Sequence, residues 1–338
     1  MIRLKIEELL ELGLAKMARN DIPQAEAEIA NPIYLEAELW GKATHGYRHL
    51  HNSLLQYERG ADRRTELTIQ RDTPVSAMVD GGFHFPYYIH HTAMTLAIAK
   101  AQTSGLAMVG ARNGGASGLL GYYSQLATEA GLVGVVVNTA PSVVVPPGGL
   151  IPMLSTNPLT IGVPRPGLPP IILDMATSAG TFNQILVAQR DHTALPAGMA
   201  VDAQGQPTTD PFLAVDAINR PRILPFAGYK GFGLAFMIEM LCDASLGTPV
   251  GYSKIEPVLH QPAHFNGLYL VYRPDLFVER EVFDAQVAQL MTDIKNSQPK
   301  EGASPIRLPG EVSQQRKAEI LERGNLEIED TTYEFLKS

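Results

Sequence analysis

Residues 105–123 read GLAMVGARNGGASGLLGYY, and this stretch decides which kind of fold the chain can form. An apolar run of strand length, residues 105–111, leads into a glycine-rich loop that opens a helix-like segment near residue 119. Glycine lets the backbone come close to a ligand, and the free N–H groups at a helix start attract anions. The stretch therefore predicts an α/β unit with a ligand-binding loop, although no residue of the loop is suited to moving a proton.

Hydrophobic periodicity extends this α/β unit in both directions. Residues 87–103 and about 119–130 have helical spacing, and the second segment is followed by an apolar run at residues 132–138. Pro and Gly separate three further β-rich segments, which favours a mixed sheet over a purely parallel one. These segments are residues 143–149, 159–163 and 171–174. Turn residues dominate residues 188–228 and predict a long ordered loop over a site.

Helical spacing also occurs at both ends of the chain. The segments are residues 2–19, 23–41, 230–246 and about 312–323. We therefore predict an α/β fold in which residues 1–75 and 225–338 form a helical lobe and residues 76–224 form a mixed-sheet, cofactor-binding domain. No Gly-x-Gly-x-x-Gly follows a strand, so the fingerprint of the Rossmann fold is absent.

Composition excludes several classes of protein. With 338 residues, of which 45% are hydrophobic and 18% charged, the chain is typical of a compact globular protein. Its net charge of -8 is unsuited to nucleic acid, which needs a positive surface, so no such partner is expected. No apolar run is long enough to span a bilayer, and the N-terminus lacks a signal-like core. Because Cys242 is the single cysteine, we predict a cytoplasmic protein without disulfides.

Eight short motifs in a fixed order carry a resemblance to a known family. They are THG at 44–46, the loop at 112–123, PGG at 147–149, TNP at 156–158, LDMATS at 173–178, PTTDP at 207–211, KGFGL at 230–234 and PGE at 309–311. Together they resemble the type-2 malate/L-lactate dehydrogenase family over about residues 35–325. Among its members, the pattern is most similar to that of the ureidoglycolate dehydrogenases.

The resemblance implies an oxidoreductase that uses NAD or NADP. Members of the family transfer hydride between nicotinamide and C2 of a small 2-hydroxy or 2-oxo acid, so the expected partner is a small carboxylate substrate. The resemblance also implies a mixed-sheet cofactor fold unlike the Rossmann fold and a homodimer with the site near the subunit interface. Two alternatives stay open, namely a cyclic 2-imino acid reductase and a catalytically impaired, nucleotide-binding paralogue.

One departure from the family pattern concerns the proton. Oxidation of an alcohol needs a base for the hydroxyl proton, and histidine suits this task because its pKa is near neutrality. The family carries this histidine in the glycine-rich loop, at the position of Ala116 in this chain. Three explanations remain: an engineered, inactivating replacement; a natural member that uses His45 or an iminium substrate; or a paralogue that only binds nucleotide.

His45 is the strongest remaining candidate for proton transfer, and the Thr44 hydroxyl is placed to orient it. The alternative is a packing histidine near His49 and His51. Arg48 is the candidate clamp for the substrate carboxylate, because a guanidinium binds both oxygens at once; the alternative is a surface arginine. Many members have arginine four residues after the histidine, where this chain has His49. No metal site is expected, because neither carboxylate nor cysteine joins these histidines at ligand spacing.

The cofactor-binding candidates are carried over from three motifs of the family. They are Asn113, Gly115, Ala116, Ser117, Gly118, Asp174, Met175, Ala176, Lys230 and Gly231. Lys230, beside helix-start amides, suits a diphosphate. The alternatives are that the glycines serve only turns, that Asp174 caps a helix and that Lys230 is solvated. Gln184 stands where some relatives have Lys or Asp, so no charged relay can be completed through it.

Overall fold

The computed structural model describes residues 1–251, residue 254 and residues 265–338. Its strands are β1 Ile2–Lys5, β2 Thr68–Gln70, β3 Ser76–Asp80, β4 Leu106–Gly114, β5 Val133–Thr139, β6 Leu159–Val163, β7 Ile171–Met175, β8 Ala200–Val201, β9 Pro207–Thr208, β10 Phe265–Tyr272 and β11 Asn325–Ile328. Its helices are α1 Ile6–Ala18, α2 Gln24–Leu39, α3 Tyr47–Arg59, α4 Pro86–Ser104, α5 Leu120–Glu129, α6 Phe182–Asp191, α7 Tyr229–Glu239, α8 Arg280–Asn296, α9 Glu311–Arg323 and α10 Asp330–Lys337.

A seven-stranded mixed sheet, in the order β2-β3-β4-β10-β5-β6-β7, forms the centre of the fold. Strands β3 and β4 are parallel, while the other neighbours run antiparallel. The predicted α/β class with a mixed sheet is confirmed. The division at residues 75 and 225 stays a prediction, but the sheet is not confined to 76–224, because β2 and β10 come from ranges assigned to the helical lobe.

Two helices pack against one face of this sheet. Helix α4 begins with Pro86 in its first turn and ends at Gly105, whose φ of 83° is readily adopted only by glycine. Helix α5 approaches so closely that a Cβ on Gly134 would lie 2.7 Å from the Cβ of Ala127. On the opposite face, Val137 of β5 packs with Ile238 and Cys242.

The helical lobe is built from both ends of the chain, as predicted. Strand β1 pairs antiparallel with β11, and the amino group of Met1 lies 2.8 Å from the Asp330 carboxylate. The expectation of helix from residue 2 onward was wrong for residues 2–5, because their backbone groups bond to residues 325–328 instead. Among the helices described here, none has the length and apolar character needed to cross a bilayer. Cytoplasmic location stays a prediction.

Two other segments differ from expectation. Residues 143–149 make only isolated bridges at Val144, because Pro146 and Pro147 have no N–H to donate to a ladder. Residues 188–228 contain regular secondary structure that the predicted ordered loop did not include, namely the end of α6 and the short β8–β9 ladder.

A buried ion cluster joins α7 to the sheet. After α7, residues Met240–Ala244 form a π-helical turn that contains Asp243. The Lys254 ammonium lies 2.6 Å from carboxylate oxygens of both Glu239 and Asp243. Asp243 also accepts hydrogen bonds from Thr139 of β5 and Asn266 of β10. These bonds satisfy a charge cluster that would be costly to bury unpaired.

Gly13 sets how closely α1 approaches the helices that carry the site. It is buried, and an added Cβ would lie 2.1 Å from Asn31 Oδ1 and 2.5 Å from Tyr47 Cε1. The Tyr47 hydroxyl donates to Asn31 Oδ1 over 2.8 Å, so the intruding methyl group would disturb this bond.

We therefore expect Gly13→Ala to lower the free energy of unfolding by about 1–3 kcal/mol, as overpacking does. The same change at an open helix position would raise stability, because alanine is the better helix former. Chemical denaturation measures the difference, with the exposed Glu11→Ala on the same helix as control. A stabilised Gly13→Ala protein would contradict the close approach of α1.

Candidate active site

A 3-10 turn, Ala43–His45, leads into α3 and positions the predicted proton carrier. Glu38 Oε1 accepts a hydrogen bond from the Tyr47 N–H over 2.9 Å, which satisfies a free donor at the start of α3. A Cβ on Gly46 would lie 2.2 Å from the same carboxylate oxygen, so Gly46 permits this approach. Burial raises the pKa of Glu38 to about 7. The turn before α3 is thus fixed by a buried carboxyl that the sequence analysis missed.

His45 is partly buried, and its ring lies beside the Thr44 hydroxyl. The Thr44 hydroxyl lies 3.1 Å from His45 Nδ1. Burial, reinforced by the Lys42 ammonium, lowers the pKa of His45 to about 4, so the imidazole is neutral at physiological pH. Whether His45 moves a proton stays a prediction.

His49 lies beside His45 and under the glycine-rich loop. The imidazoles of His45 and His49 stack with their centroids 6.4 Å apart, and the ring of Tyr87 stacks on His49 with the centroids 6.2 Å apart. The Tyr87 hydroxyl donates to the His45 carbonyl over 3.1 Å and lies 3.3 Å from His49 Nδ1. Burial, with a smaller effect of His45, lowers the pKa of His49 to about 3. Tyr87 was missed, because nothing in its local sequence points to a residue 42 positions earlier.

The loop after β4 is held by side chains from two helices. Gln56 of α3 accepts from the Ala116 N–H over 2.8 Å, and His90 of α4 donates to the Gly115 carbonyl over 2.8 Å. Gly118 has a φ of 68°, and a Cβ there would lie 2.0 Å from the Tyr87 hydroxyl. The predicted free N–H groups belong to the helix start near residue 119, whereas the Ala116 N–H, four residues before α5, is bonded within the protein.

The other loop candidates have local partners as well. The Asn113 side chain donates to Asp80 over 2.9 Å, at a backbone φ of 53°. The carbonyl of the buried Ser117 accepts from the Tyr123 hydroxyl over 2.9 Å. These bonds fix the course of the loop before any ligand arrives.

Asp174 lies where this loop becomes α5. Its Oδ2 accepts from the Gly121 N–H over 3.0 Å, which resembles the capping alternative. Burial raises the pKa of Asp174 to about 6, opposed by this bond and by Lys42. Lys42 therefore affects both Asp174 and His45, although the sequence analysis did not single it out.

The third candidate motif, at Lys230 and Gly231, reaches the second, at residues 174–176, through the backbone of Phe226. Thr177, one residue after Ala176 and two after Met175, accepts at its carbonyl from the Phe226 N–H over 3.1 Å. Gly231 lies in the first turn of α7, and a Cβ there would lie 2.1 Å from the Phe226 carbonyl oxygen. The Lys230 side chain is exposed, in line with the solvated alternative.

Arg48 has an acidic neighbour that the sequence did not reveal. Its Nη1 lies 3.5 Å from Glu329 Oε1, just before α10. Both side chains are partly exposed, so this pair contributes little to stability. Because this pair is weak, the Arg48 guanidinium remains able to bind another anion.

A recess of about 230 Å³ opens beside the turn. Its lining is Thr44, Asn183, Gln184, Val187, Ala188, Thr193, Ala194, Leu195 and Pro196. Gln184 has a structural role here, because it forms a reciprocal capping box with Thr181 at the start of α6. Within the described residues, no three His, Cys, Asp or Glu side chains are arranged to hold a metal ion.

Comparisons with known proteins agree with this architecture. The model of the malate/L-lactate dehydrogenase family matches residues 4–337. The L-sulfolactate dehydrogenase of Methanocaldococcus jannaschii is 32% identical over 337 residues, which cover 99% of this chain and 95% of that protein. Its solved structure superimposes with a TM-score of 0.84 and covers 99% and 96% of the two chains.

Two further relatives differ in their named substrates. The ureidoglycolate dehydrogenase (NAD(+)) of Escherichia coli K12 is 30% identical over 342 residues, which cover 100% of this chain and 95% of that protein. The structure of the delta1-piperideine-2-carboxylate reductase of Pseudomonas syringae is 25% identical, has a TM-score of 0.86 and covers 100% and 99% of the chains. Similar identities to differently named enzymes do not single out one substrate.

The lowered pKa values generate a direct test. In nitrogen-15 histidine spectra of the folded protein, the His45 and His49 rings should stay neutral from about pH 8 down to about pH 5.5, because protonation would bury a charge. In denaturant, both should titrate near pH 6.5. His45→Gln and His49→Gln assign the signals, and the folded state is checked by the amide spectrum. A folded-state midpoint near 6.5 for either ring would contradict its burial.

Proposed function

Because the chain belongs to the malate/L-lactate dehydrogenase family, we propose that it transfers hydride between a nicotinamide cofactor and C2 of a small 2-hydroxy or 2-oxo acid. That the protein is an NAD(P)-dependent dehydrogenase or reductase follows from its relatives, which include enzymes named for each cofactor. The observation that carries the finer proposal is the Thr44–His45 pair, held against the glycine-rich loop by Tyr87.

The loop and the turn after β7 fit a nicotinamide cofactor. Gly118 leaves no room for a side chain against Tyr87, so backbone alone faces a ligand there. The Asp174 carboxyl is buried at the end of the same loop, where it can bond a ribose hydroxyl. The cofactor-binding set is the one derived from the sequence: Asn113, Gly115, Ala116, Ser117, Gly118, Asp174, Met175, Ala176, Lys230 and Gly231. The nicotinamide ring would supply a hydride acceptor for oxidation and a hydride donor for reduction.

Two positive side chains that flank the turn at Ala43–His45 bind the substrate carboxylate or attract it. Arg48 binds the carboxylate, which displaces the weak partner Glu329 at 3.5 Å. Lys42 adds positive potential, as its effect on the pKa of His45 indicates. His45 then moves the proton of the C2 oxygen, since Ala116 has no group for this step.

A cyclic 2-imino acid reductase is the second candidate function. It is favoured by the structural likeness to the named delta1-piperideine-2-carboxylate reductase, at 25% identity and a TM-score of 0.86. An iminium carbon already carries positive charge, so hydride addition to it needs less help from an acid. The loss of a loop histidine at Ala116 would matter less for such a substrate.

Absorbance assays with NADH and NADPH against 2-oxo acids and cyclic imines test both functions. We expect turnover of 2-oxo acids, and a loss of about 10²–10⁴-fold in His45→Ala, because a positioned acid or base contributes that much. His51→Ala, exposed on α3, is the control. Turnover of imines alone would replace the first function with the second. Cofactor binding without any turnover would favour the impaired paralogue.

We also infer a homodimer formed through α7 and the π-helical turn. Helical spacing brings exposed apolar side chains onto one stripe: Tyr229, Phe236, Met237, Met240 and Leu241. Such a stripe on a soluble domain is costly unless another surface covers it. A second copy is the natural occupant, because Lys230 of the cofactor-binding set lies on the same helix and would be brought to the interface.

Sedimentation velocity measures this assembly. Wild type should be a dimer at micromolar concentration, and Met237→Glu should dissociate it, since a carboxylate in an apolar interface is costly to desolvate. Leu321→Glu, equally exposed on α9, is the matched control and should leave the dimer intact. A dimer unaffected by Met237→Glu would place the interface elsewhere.

A further inference from the structure

His49 and Ala116 are two departures from the family pattern that the fold brings into one neighbourhood. We infer that His49 is a second proton-transfer residue of the active site, and that its imidazole replaces the one the family carries at the position of Ala116. This inference rests on the proposed function, because it concerns the proton of the C2 oxygen. It goes beyond that function in assigning chemistry to a residue whose place in the family is held by arginine.

Contacts from three elements fix the position of the His49 ring. It lies between His45, at a centroid distance of 6.4 Å, and Tyr87, at 6.2 Å, and the three rings are nearly parallel. The Tyr87 hydroxyl also touches the loop, since it would meet a Cβ on Gly118 at 2.0 Å. Gly118 follows Ala116 by two residues, so the Tyr87 hydroxyl links the His49 ring to the loop that contains Ala116.

Hydrogen bonds around His49 determine which ring nitrogen carries the proton. The Tyr87 hydroxyl donates its proton to the His45 carbonyl over 3.1 Å, and the Ser53 hydroxyl donates to the His49 carbonyl over 3.4 Å. Both hydroxyl oxygens also face His49 Nδ1, at 3.3 and 3.4 Å. In the arrangement that the inference requires, both hydroxyls keep these donations and accept at His49 Nδ1, so Nδ1 carries the hydrogen. His49 Nε2 is left with a lone pair, and no described residue bonds to it.

The neighbouring His45 has the opposite arrangement. In the same arrangement, the Thr44 hydroxyl, 3.1 Å from His45 Nδ1, is the donor of their hydrogen bond. His45 Nε2 then carries the hydrogen and is a donor, whereas His49 Nε2 is an acceptor. Two imidazoles with complementary protonation can hold the C2 oxygen and take its proton, a division of roles that a single histidine does not offer.

The oxidation step balances with these groups. The O–H bond of the substrate breaks, and its electron pair forms the second C–O bond as the C2 hydrogen leaves with its own pair as hydride. The proton goes to His49 Nε2, while His45 keeps its own hydrogen and donates it to the same oxygen. In the oxidation, this refines the proposed role of His45 from proton carrier to hydrogen-bond donor. Burial keeps this ring neutral before the substrate enters, and the substrate carboxylate then favours the imidazolium that forms.

The kinetic test is the variant His49→Gln, with His51→Gln on the exposed side of α3 as control. We expect kcat to fall about 10²-fold or more with little change in KM, because the lost group acts on the reacting oxygen. Ala116→His should then restore at least about tenfold of kcat in His49→Gln, as replacement of an acid–base group does. The same change should not restore His45→Ala to that extent, since the His45 donor stays absent.

A spectroscopic test does not depend on turnover. Nitrogen-15 spectra distinguish the two neutral tautomers of histidine, and His49 should have its hydrogen on Nδ1. A hydrogen on Nε2 would overturn the inference, because no acceptor would then face the substrate. This measurement of the His49 tautomer tests the inference even if the His49→Gln variant does not fold, as judged by thermal unfolding.

Failure of the inference is distinguishable from failure of the function. If wild type turns over 2-oxo acids and His49→Gln matches it, then His49 only packs and the proposed function stands. If His49→Gln loses activity but Ala116→His rescues nothing, His49 positions the turn and transfers no proton. If wild type turns over no substrate of either class, the proposed function fails and the inference fails with it.

Discussion

The hydroxyl of Tyr87 is the contact on which the rest of the site depends. It bonds the carbonyl of the 3-10 turn, lies against His49 and fits only because Gly118 has no side chain. Three segments far apart in sequence thereby meet at one atom. Its ring stacks on that of Tyr34, at 4.3 Å between centroids, which anchors the contact in the core of the helical lobe. The loop and the turn are consequently held in fixed relation by packed aromatic rings.

This arrangement explains which side chains of the site are charged and which are neutral. Burial around Tyr87 keeps both imidazoles uncharged, because their cations would lose hydration. The positive groups, Lys42 and Arg48, lie at the edge, where they remain partly or fully exposed. The imidazoles stay neutral, whereas the carboxyls of Glu38 and Asp174 have raised pKa values of about 7 and about 6, so part of their negative charge remains in the interior at neutral pH. The buried Asp174 marks the far end of the same loop.

Local sequence was sufficient for the elements around residues 86–129. Helix α4, strand β4 and helix α5 follow one another with clear hydrophobic periods and a glycine stop, and their predicted bounds differ from the structure by a few residues. Strand β10 was not predicted, because it belongs in the sheet only through neighbours more than a hundred residues earlier. Thr44 and His45 were singled out from sequence as candidates for proton transfer, which stays a prediction, whereas Gln56 and Tyr87 were not singled out. Their roles are hydrogen bonds to distant backbone, for which no local pattern exists.

The pairing of β1 with β11 has a consequence for how the protein is made. Strand β1 is synthesised long before its partner β11 and Asp330, because 329 positions separate Met1 from Asp330. Glu329, which pairs with Arg48, emerges equally late. The helical lobe therefore cannot be completed until residues 325–330 have been synthesised, since long-range contacts form only once both segments exist. Strand β10 lies between β4 and β5 in the sheet but follows both by more than a hundred residues, so neither the sheet nor the scaffold around His45 is complete until these late segments have been made.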